Sequence, residues 1–388
     1  MHGGSDKMYE IGSEFHERTT QIGINKYTNL IDIEKRYVLS GRTAIAYIIK
    51  DILSYSIFRK VALPAYCCAS MVEPFISKGI EVVFYGIRLN YEKIFEQVEA
   101  VLVMDYFGVG SESTFKFAEL GKRKKKILIV DATQTAFSRL ATYPLADYIF
   151  VSYRKWTDCL CAAVYAKKGF SIVSPKKSND TYVTSWRMAA NMKEKYLLHA
   201  SGEKDAFLNL YKKANRLLGE HYEDCAPPAD EIERFELIDS DYLRQCRRTN
   251  ATILIRTITE IKRLWKNDAQ FMYETLGEED CPLFVPLLVN ADIRDKIQKQ
   301  LIISGIFCPI HWPIDLNYPY VKTKYHDCEI SLVCDQRYGK EEMIREANEI
   351  SIAVYNLENC LKEYTTVQRN YPIGSVDLNR NHSSDVLV

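Results

Sequence analysis

A chain of 388 residues is longer than one small core needs, and it points to two domains or to one domain with a sizeable extension. Its 47% hydrophobic and 26% charged content is that of a soluble globular protein, and 51 Lys+Arg against 51 Asp+Glu leave no net field to favour nucleic acid or an anionic membrane. Eleven cysteines, odd in number and without metal-ligand spacing, read as reduced, mostly buried thiols with no metal site; with no apolar signal core in MHGGSDKMYEIGSEF, the expected location is the cytoplasm.

Residues 1–34 are polar and mixed and are expected to form an arm. From Tyr37 onward, short β-branched and aromatic runs at 61–66, 82–87, 100–107, 127–133, 148–153 and 162–167 predict strands. The stretches 43–56, 70–79, 90–98 and 112–122 between them predict helices. Near-continuous apolar strands alternating with helices are the pattern of a largely parallel sheet buried on both faces. Beyond residue 185 come long polar-rich helical patterns, 203–222 and 239–266, separated by the break CAPPAD at 225–230. A second unit follows, with CPLFVPLLV (281–289) as a strand, a helix at 291–304, GIFCPIHW (305–312) as a strand and a closing helix at 340–362. The expected fold class is α/β: a three-layer large domain over 35–240 with a mainly parallel sheet, a smaller α/β C-terminal domain over 241–364, and a loose tail over 365–388.

Three short segments carry candidate chemistry. In Ser40-Gly41-Arg42-Thr43-Ala44 a small polar turn runs into an apolar helix. Such a turn offers a phosphate free backbone N–H groups and the positive end of the helix dipole, although a plain Ser or Thr cap looks the same. Val130-Asp131-Ala132-Thr133-Gln134 ends an apolar strand on an acid. Ligands of open α/β sheets bind beyond such strand ends; the alternative is an Asp that caps the next turn. In YIFVSYRK (148–155) another apolar strand ends on Ser152, Arg154 and Lys155. Ser152 and Arg154 suit a phosphate, by hydroxyl and by bidentate fork. A lysine held in a crevice can lose basicity and form an imine with an aldehyde, whereas most strand-end lysines are solvated surface groups.

Phosphate turn, strand-end Asp and strand-end Ser-x-x-Lys, in that order, resemble the aspartate-aminotransferase superfamily of pyridoxal-phosphate enzymes, fold type I. The wording SGRTA, LPAYCCASMVEPFISKGIEVVFYGI, MDYFG, VDATQT and SYRKW resembles its DegT/DnrJ/StrS branch, mostly aminotransferases acting on nucleotide-linked keto-sugars. DYLRQCRRTN, CPLFVPLLV, GIFCPIHWP and SLVCDQRY are similar to that family's small domain, so the likeness covers roughly residues 35–360. The resemblance implies an aminotransferase-like fold, pyridoxal 5'-phosphate as cofactor bound to the large domain, and a homodimer with the active site at its interface. It implies that Lys155 carries the cofactor as an imine and shuttles the proton between Cα and C4′. Asp131 would pair with the pyridine nitrogen, and Gln134 would sit near the ring's 3-oxygen. Ser152, with Gly41, Arg42 and Thr43 mainly through backbone N–H groups, would hold the phosphate; Arg154 joins them on its neighbourhood alone. Where the family carries a stacking aromatic this chain aligns Cys68, so either Tyr66 or Phe107 covers the ring, or nothing does.

The activity so implied is an aminotransferase that moves an amino group from glutamate to a keto-sugar, in cell-surface glycan or secondary-metabolite biosynthesis. The same lysine, aspartate and phosphate sites would serve an enzyme of elimination, dehydration or decarboxylation, or an inactive cofactor-binding scaffold. His311 and Trp312 read as the end of a strand, with the Trp a core or hinge anchor. Arg337 reads as paired with Asp335 or a neighbouring acid, and Arg247, Arg248 and Asn250 as the packed face of a helix.

Overall fold

The computed structural model describes residues 10–16, 21–86, 91–199, 201–262 and 269–370. The main sheet has seven strands in the spatial order Glu34–Val38, Ala162–Ala166, Tyr148–Ser152, Ile127–Asp131, Ala100–Met104, Lys60–Pro64, Glu81–Tyr85. Five of them run parallel from Tyr148–Ser152 to Glu81–Tyr85, and Ala162–Ala166 is antiparallel to both of its neighbours. Alternate residues of a strand face opposite sides, which here means two cores. Ala100, Leu102 and Met104 pack with Ile45, Ile48 and Ile52 of the helix Gly41–Tyr55 on one face. Val101 and Val103 pack with Phe95, Phe117 and Ala118 of the helices Tyr91–Gln97 and Glu112–Arg123 on the other. Both faces being covered explains the unbroken apolar runs, and each fully buried Val, Leu or Ile contributes about 1.5–3 kcal/mol.

A smaller antiparallel sheet of Gln270–Phe271, Phe284–Leu288 and Glu329–Val333 carries a separate core. Val285, Leu287, Ile330 and Leu332 meet Leu254 and Ile258 of the helix Ser240–Lys262, Ile297 of Ala291–Ile303, and Ala347 and Ile350 of Lys340–Asn370. The two units touch at Gly108, whose φ is +90° and where a Cβ would lie 1.8 Å from the Cys281 carbonyl oxygen. Only glycine fits there.

Several elements differ from expectation. The strand Glu34–Val38, sequence EKRYV, lies at the sheet edge, where its mixed polarity is tolerated. The helix Asp180–His199 packs on Lys204–Glu220 through Trp186, Phe207 and Tyr211. Only Ile306–Phe307 of the expected 305–312 strand pairs, and its partner is the arm: Ile11–Gly12 lies parallel to it. The last helix continues to Asn370, through the start of the expected tail, and residues 371–388 lie outside the described residues. Among the described residues no helix is long and apolar enough to cross a membrane.

Candidate active site

The parallel strands end on one edge of the main sheet, and there a cavity of about 590 Å³ opens. Its walls come from three sources: the strand ends and the start of the Gly41–Tyr55 helix, the smaller unit through Phe284, Pro309, His311 and Trp312, and the arm through Gly12 to Phe15. Gly12 has φ +92°, and a Cβ there would lie 2.4 Å from the Phe307 carbonyl oxygen, so glycine lets the arm lie flat against its partner strand. Side chains then pin it. Tyr338 Oη accepts the Gly12 N–H at 2.8 Å, Lys193 and Arg337 donate to the Glu14 carbonyl, and Tyr211 Oη donates to the Phe15 carbonyl at 3.0 Å.

Of the expected residues, Gly41, Arg42, Asp131, Gln134, Ser152, Arg154 and Lys155 all line this cavity. Ser40 caps the helix: its Oγ accepts the Thr43 N–H at 3.1 Å. That bond spends the Thr43 donor and leaves those of Gly41 and Arg42, which have no intrahelical acceptor, for an anion. Thr43 is wholly buried, with its hydroxyl 2.9 Å from Ser40 Oγ, so it belongs to the cap and not to the cavity wall. The Arg42 side chain turns away to pair with Glu73 at 3.0 Å, as a backbone-only role requires. A Cβ on Gly41 would lie 3.4 Å from Ser152 Cβ, which shows how closely the helix start and the strand end converge.

Asp131 is 3% exposed and accepts the Thr133 N–H at 2.7 Å. No described cation pairs with it, and burial, resisted by its bonds from Thr133, raises its pKa to about 6. Gln134 Oε1 accepts the Phe107 N–H at 2.6 Å. Because a backbone N–H can only donate, the oxygen must lie on that side, and the amide NH2 is left as a donor at the cavity wall. Lys155 opens onto the cavity and makes no hydrogen bond or ion pair with a described residue. Its side chain is exposed to the cavity, but the surrounding walls desolvate the amine, which lowers its pKa first, and the Arg154 charge lowers it further. Arg154 lies over the Trp186 ring at 4.4 Å and donates to Asn215 Oδ1 at 3.1 Å, with no described carboxylate as partner.

Tyr66 and Phe107 do not line the cavity. Tyr66 is buried among Tyr106, Trp312, Tyr325 and His326, and Phe107, at φ +57°, turns its ring toward His311. The wall at this point carries the Cys68 thiol, close enough to Lys155 and Asp131 to feel both charges. Arg337 is buried and doubly bonded to Asp335 at 2.7 and 2.9 Å, the dull alternative. Arg247 spends its guanidinium on Gln336 and on the Leu283 and Trp156 carbonyls, tying the smaller unit to the residue after Lys155.

Sequence reading missed Thr133 and Asn215 as wall residues, and also the arm's Glu14 and Phe15. Thr133 could have been found, since it follows Asp131 by two positions at a strand end. The arm could not, because a polar stretch carries no signal of where it docks.

The fold is similar to that of sugar aminotransferases of known structure. It matches the putative sugar aminotransferase Spr1654 from Streptococcus pneumoniae, apo-form, with TM-score 0.60 and 13% identity over 91% of this chain and 100% of that one. PseC from Helicobacter pylori, an aminotransferase involved in pseudoaminic acid biosynthesis, matches with TM-score 0.57 and 15% identity over 89% and 94%. DesI, solved in the presence of its TDP-sugar product, matches with TM-score 0.59 and 11% identity over 86% and 83%. No protein-family model and no curated protein matches the chain in sequence.

Proposed function

We propose that this chain is a pyridoxal-phosphate-dependent aminotransferase that moves an amino group from glutamate to a nucleotide-linked keto-sugar, as a homodimer. The observation that carries the reading is the convergence, on one cavity, of an amine (Lys155) and a buried acid (Asp131), neither in an ion pair among the described residues, and an anion cradle (Gly41, Arg42, Ser152). The donor set fits the cofactor. A carboxylate raised to about 6 by burial suits a protonated ring nitrogen, and helix N–H donors beside a hydroxyl suit a phosphate. When bound, pyridoxal phosphate supplies an electron sink for a carbanion next to nitrogen.

The chain's own residues supply the rest. Lys155, its basicity lowered by desolvation, has the free amine needed to hold the aldehyde and to carry a proton. Asp131 holds positive charge on the ring nitrogen, and the Gln134 amide donates to a ring oxygen. Ser152 and Arg154 add a hydroxyl and a full charge to the backbone donors at the phosphate. DesI, solved in the presence of its TDP-sugar product, supports the substrate class, and the PLP- and PMP-forms of the Streptococcus pneumoniae protein support the cofactor.

One experiment tests the reading: absorbance spectra of the purified protein with pyridoxal phosphate, before and after excess glutamate. A visible band that glutamate converts to that of the amine form is expected. A protein that takes up no cofactor refutes the reading, and one that keeps an unchanged band in glutamate refutes the donor.

A further inference from the structure

His311 also lines the cavity, and the bonds behind it determine its tautomer. Glu329 and Ser331 stand two apart on one strand and share a face. Ser331 Oγ gives its single proton to Glu329 Oε1, so toward His311 Nδ1, 2.9 Å away, it can only accept. The neutral imidazole is therefore protonated at Nδ1, and Nε2 carries the lone pair. Glu329 is fully buried, and its other oxygen takes the His311 backbone N–H at 2.8 Å. Tyr66 Oη donates to the His311 carbonyl, and the rings of Phe107 and Phe284 flank the imidazole with centroids at 5.5 and 5.3 Å. Nε2 has no partner among the described residues. A histidine locked from behind by a hydroxyl and a buried carboxylate, with its bare nitrogen on a substrate cavity, is built as a base.

We propose that His311 is a proton-transfer residue of this cavity, with Ser331 and Glu329 as its positioning residues, and that it serves the carbonyl oxygen of the acceptor. The proposal rests on the aminotransferase reading. Replacing a carbonyl oxygen by nitrogen moves two protons from nitrogen to oxygen and expels water. Nε2 takes each proton as an N–H bond breaks, the electron pair staying on nitrogen, and hands it to the oxygen, which departs with the C–O pair. In between, the imidazolium is balanced by Glu329 through Ser331. The charged and titratable groups around it are Glu329 on its strand, Tyr66 behind it, Arg294, which donates to the Glu329 carbonyl at 3.1 Å, and Lys155 on the same cavity.

Long-range proton–nitrogen NMR on histidine-labelled protein reads the tautomer without cofactor or turnover, with His311→Gln assigning the resonance. The Nδ1–H form is expected in the native chain, and Ser331→Ala should release it. An Nε2–H form in the native chain would overturn the relay. In single-turnover amination of a keto-sugar, His311→Gln should slow the reaction roughly a hundredfold. Glu329→Gln removes the charge that favours imidazolium, so the acid limb of the rate–pH profile should move to lower pH. A purely structural role would leave that limb in place, and an unmoved limb or an unslowed His311→Gln overturns the proposal. Because the NMR arm needs no cofactor, a protein that never binds pyridoxal phosphate refutes the functional reading, whereas a wrong tautomer refutes the relay alone.

Discussion

Thr133 Oγ1 accepts the backbone N–H of Ser152 at 3.2 Å. The Thr133 N–H is itself bonded to Asp131 Oδ1 at 2.7 Å, so one threonine ties the acid at the end of one strand to the backbone of Ser152 at the end of the next. The group that would face a ring nitrogen and the group that would face a phosphate are thereby held at one spacing before any ligand arrives, which is the preorganisation a cofactor site needs.

Lys155→Ala should abolish the visible cofactor band and leave no cofactor attached after borohydride reduction. Mass spectrometry of the reduced protein checks this, and an adduct on another lysine would reassign the site. Desolvation and Arg154 both lower the Lys155 pKa, so the free amine should persist at lower pH than in an ordinary lysine. Arg154→Gln should therefore move the pH dependence of cofactor attachment upward.

Asp131→Asn should retain cofactor but lower turnover at least tenfold, about 1.4 kcal/mol of transition-state stabilisation. The available interaction is larger, about 4 kcal/mol for opposite charges in contact at an effective dielectric of 20. Unchanged turnover would count against the pairing.

The same residue makes a prediction for the protein without cofactor. Its folded pKa, about 6, lies above the ordinary 3.8, so the stabilising proton is fully held below pH 3.8 and lost as pH rises through 6. For a shift of about two units that loss is about 3 kcal/mol. Asp131→Asn should then be more stable than the native chain at pH 7–8 without cofactor, and gain less stability when cofactor is added. Urea melts at several pH values decide it.

Gly41→Val places branches where a single Cβ would already lie 3.4 Å from Ser152 Cβ, and should sharply reduce cofactor affinity. Ser152→Ala removes one hydrogen bond to a charged group, worth about 1.5–3 kcal/mol, and should weaken affinity roughly ten- to a hundredfold. Equilibrium titration followed by cofactor absorbance compares the two, and a harmless Gly41→Val would move the phosphate elsewhere.

Glu346, fully buried under the smaller sheet, accepts the Val333 N–H at 2.7 Å on one oxygen while the other has no hydrogen-bond partner among the described residues. Burial pushes its pKa up to about 8 from 4.5. The native chain should lose stability as pH rises through that interval, because the unfolded state releases the proton first. Glu346→Gln should lose less stability than the native chain over the same range, keeping only the share that Asp131 contributes up to about pH 6, and be more stable at pH 9 by something on the order of 2–4 kcal/mol. Thermal melts at pH 6 and pH 9 test it; parallel losses in both proteins would place the titration elsewhere.

Local pattern determined much of this protein. The expected strands of the parallel layer form within two or three residues of their predicted bounds, because a strand buried on both faces must be apolar throughout and so declares itself. Asp131, Ser152 and Lys155 were legible because each interrupts such a run at its carboxyl end, where a parallel sheet opens. The edge strand Glu34–Val38 was not, since half-exposed residues carry no such constraint. Tertiary structure alone decided that Thr43 spends its donor on a cap, that Tyr66 stands behind His311 instead of on the wall, and that residues 12–15 close the cavity. It alone brought His311 to Ser331: the strand's two-residue period puts Ser331 and Glu329 on one face, but which side chain meets that face depends on how the chain returns across the sheet.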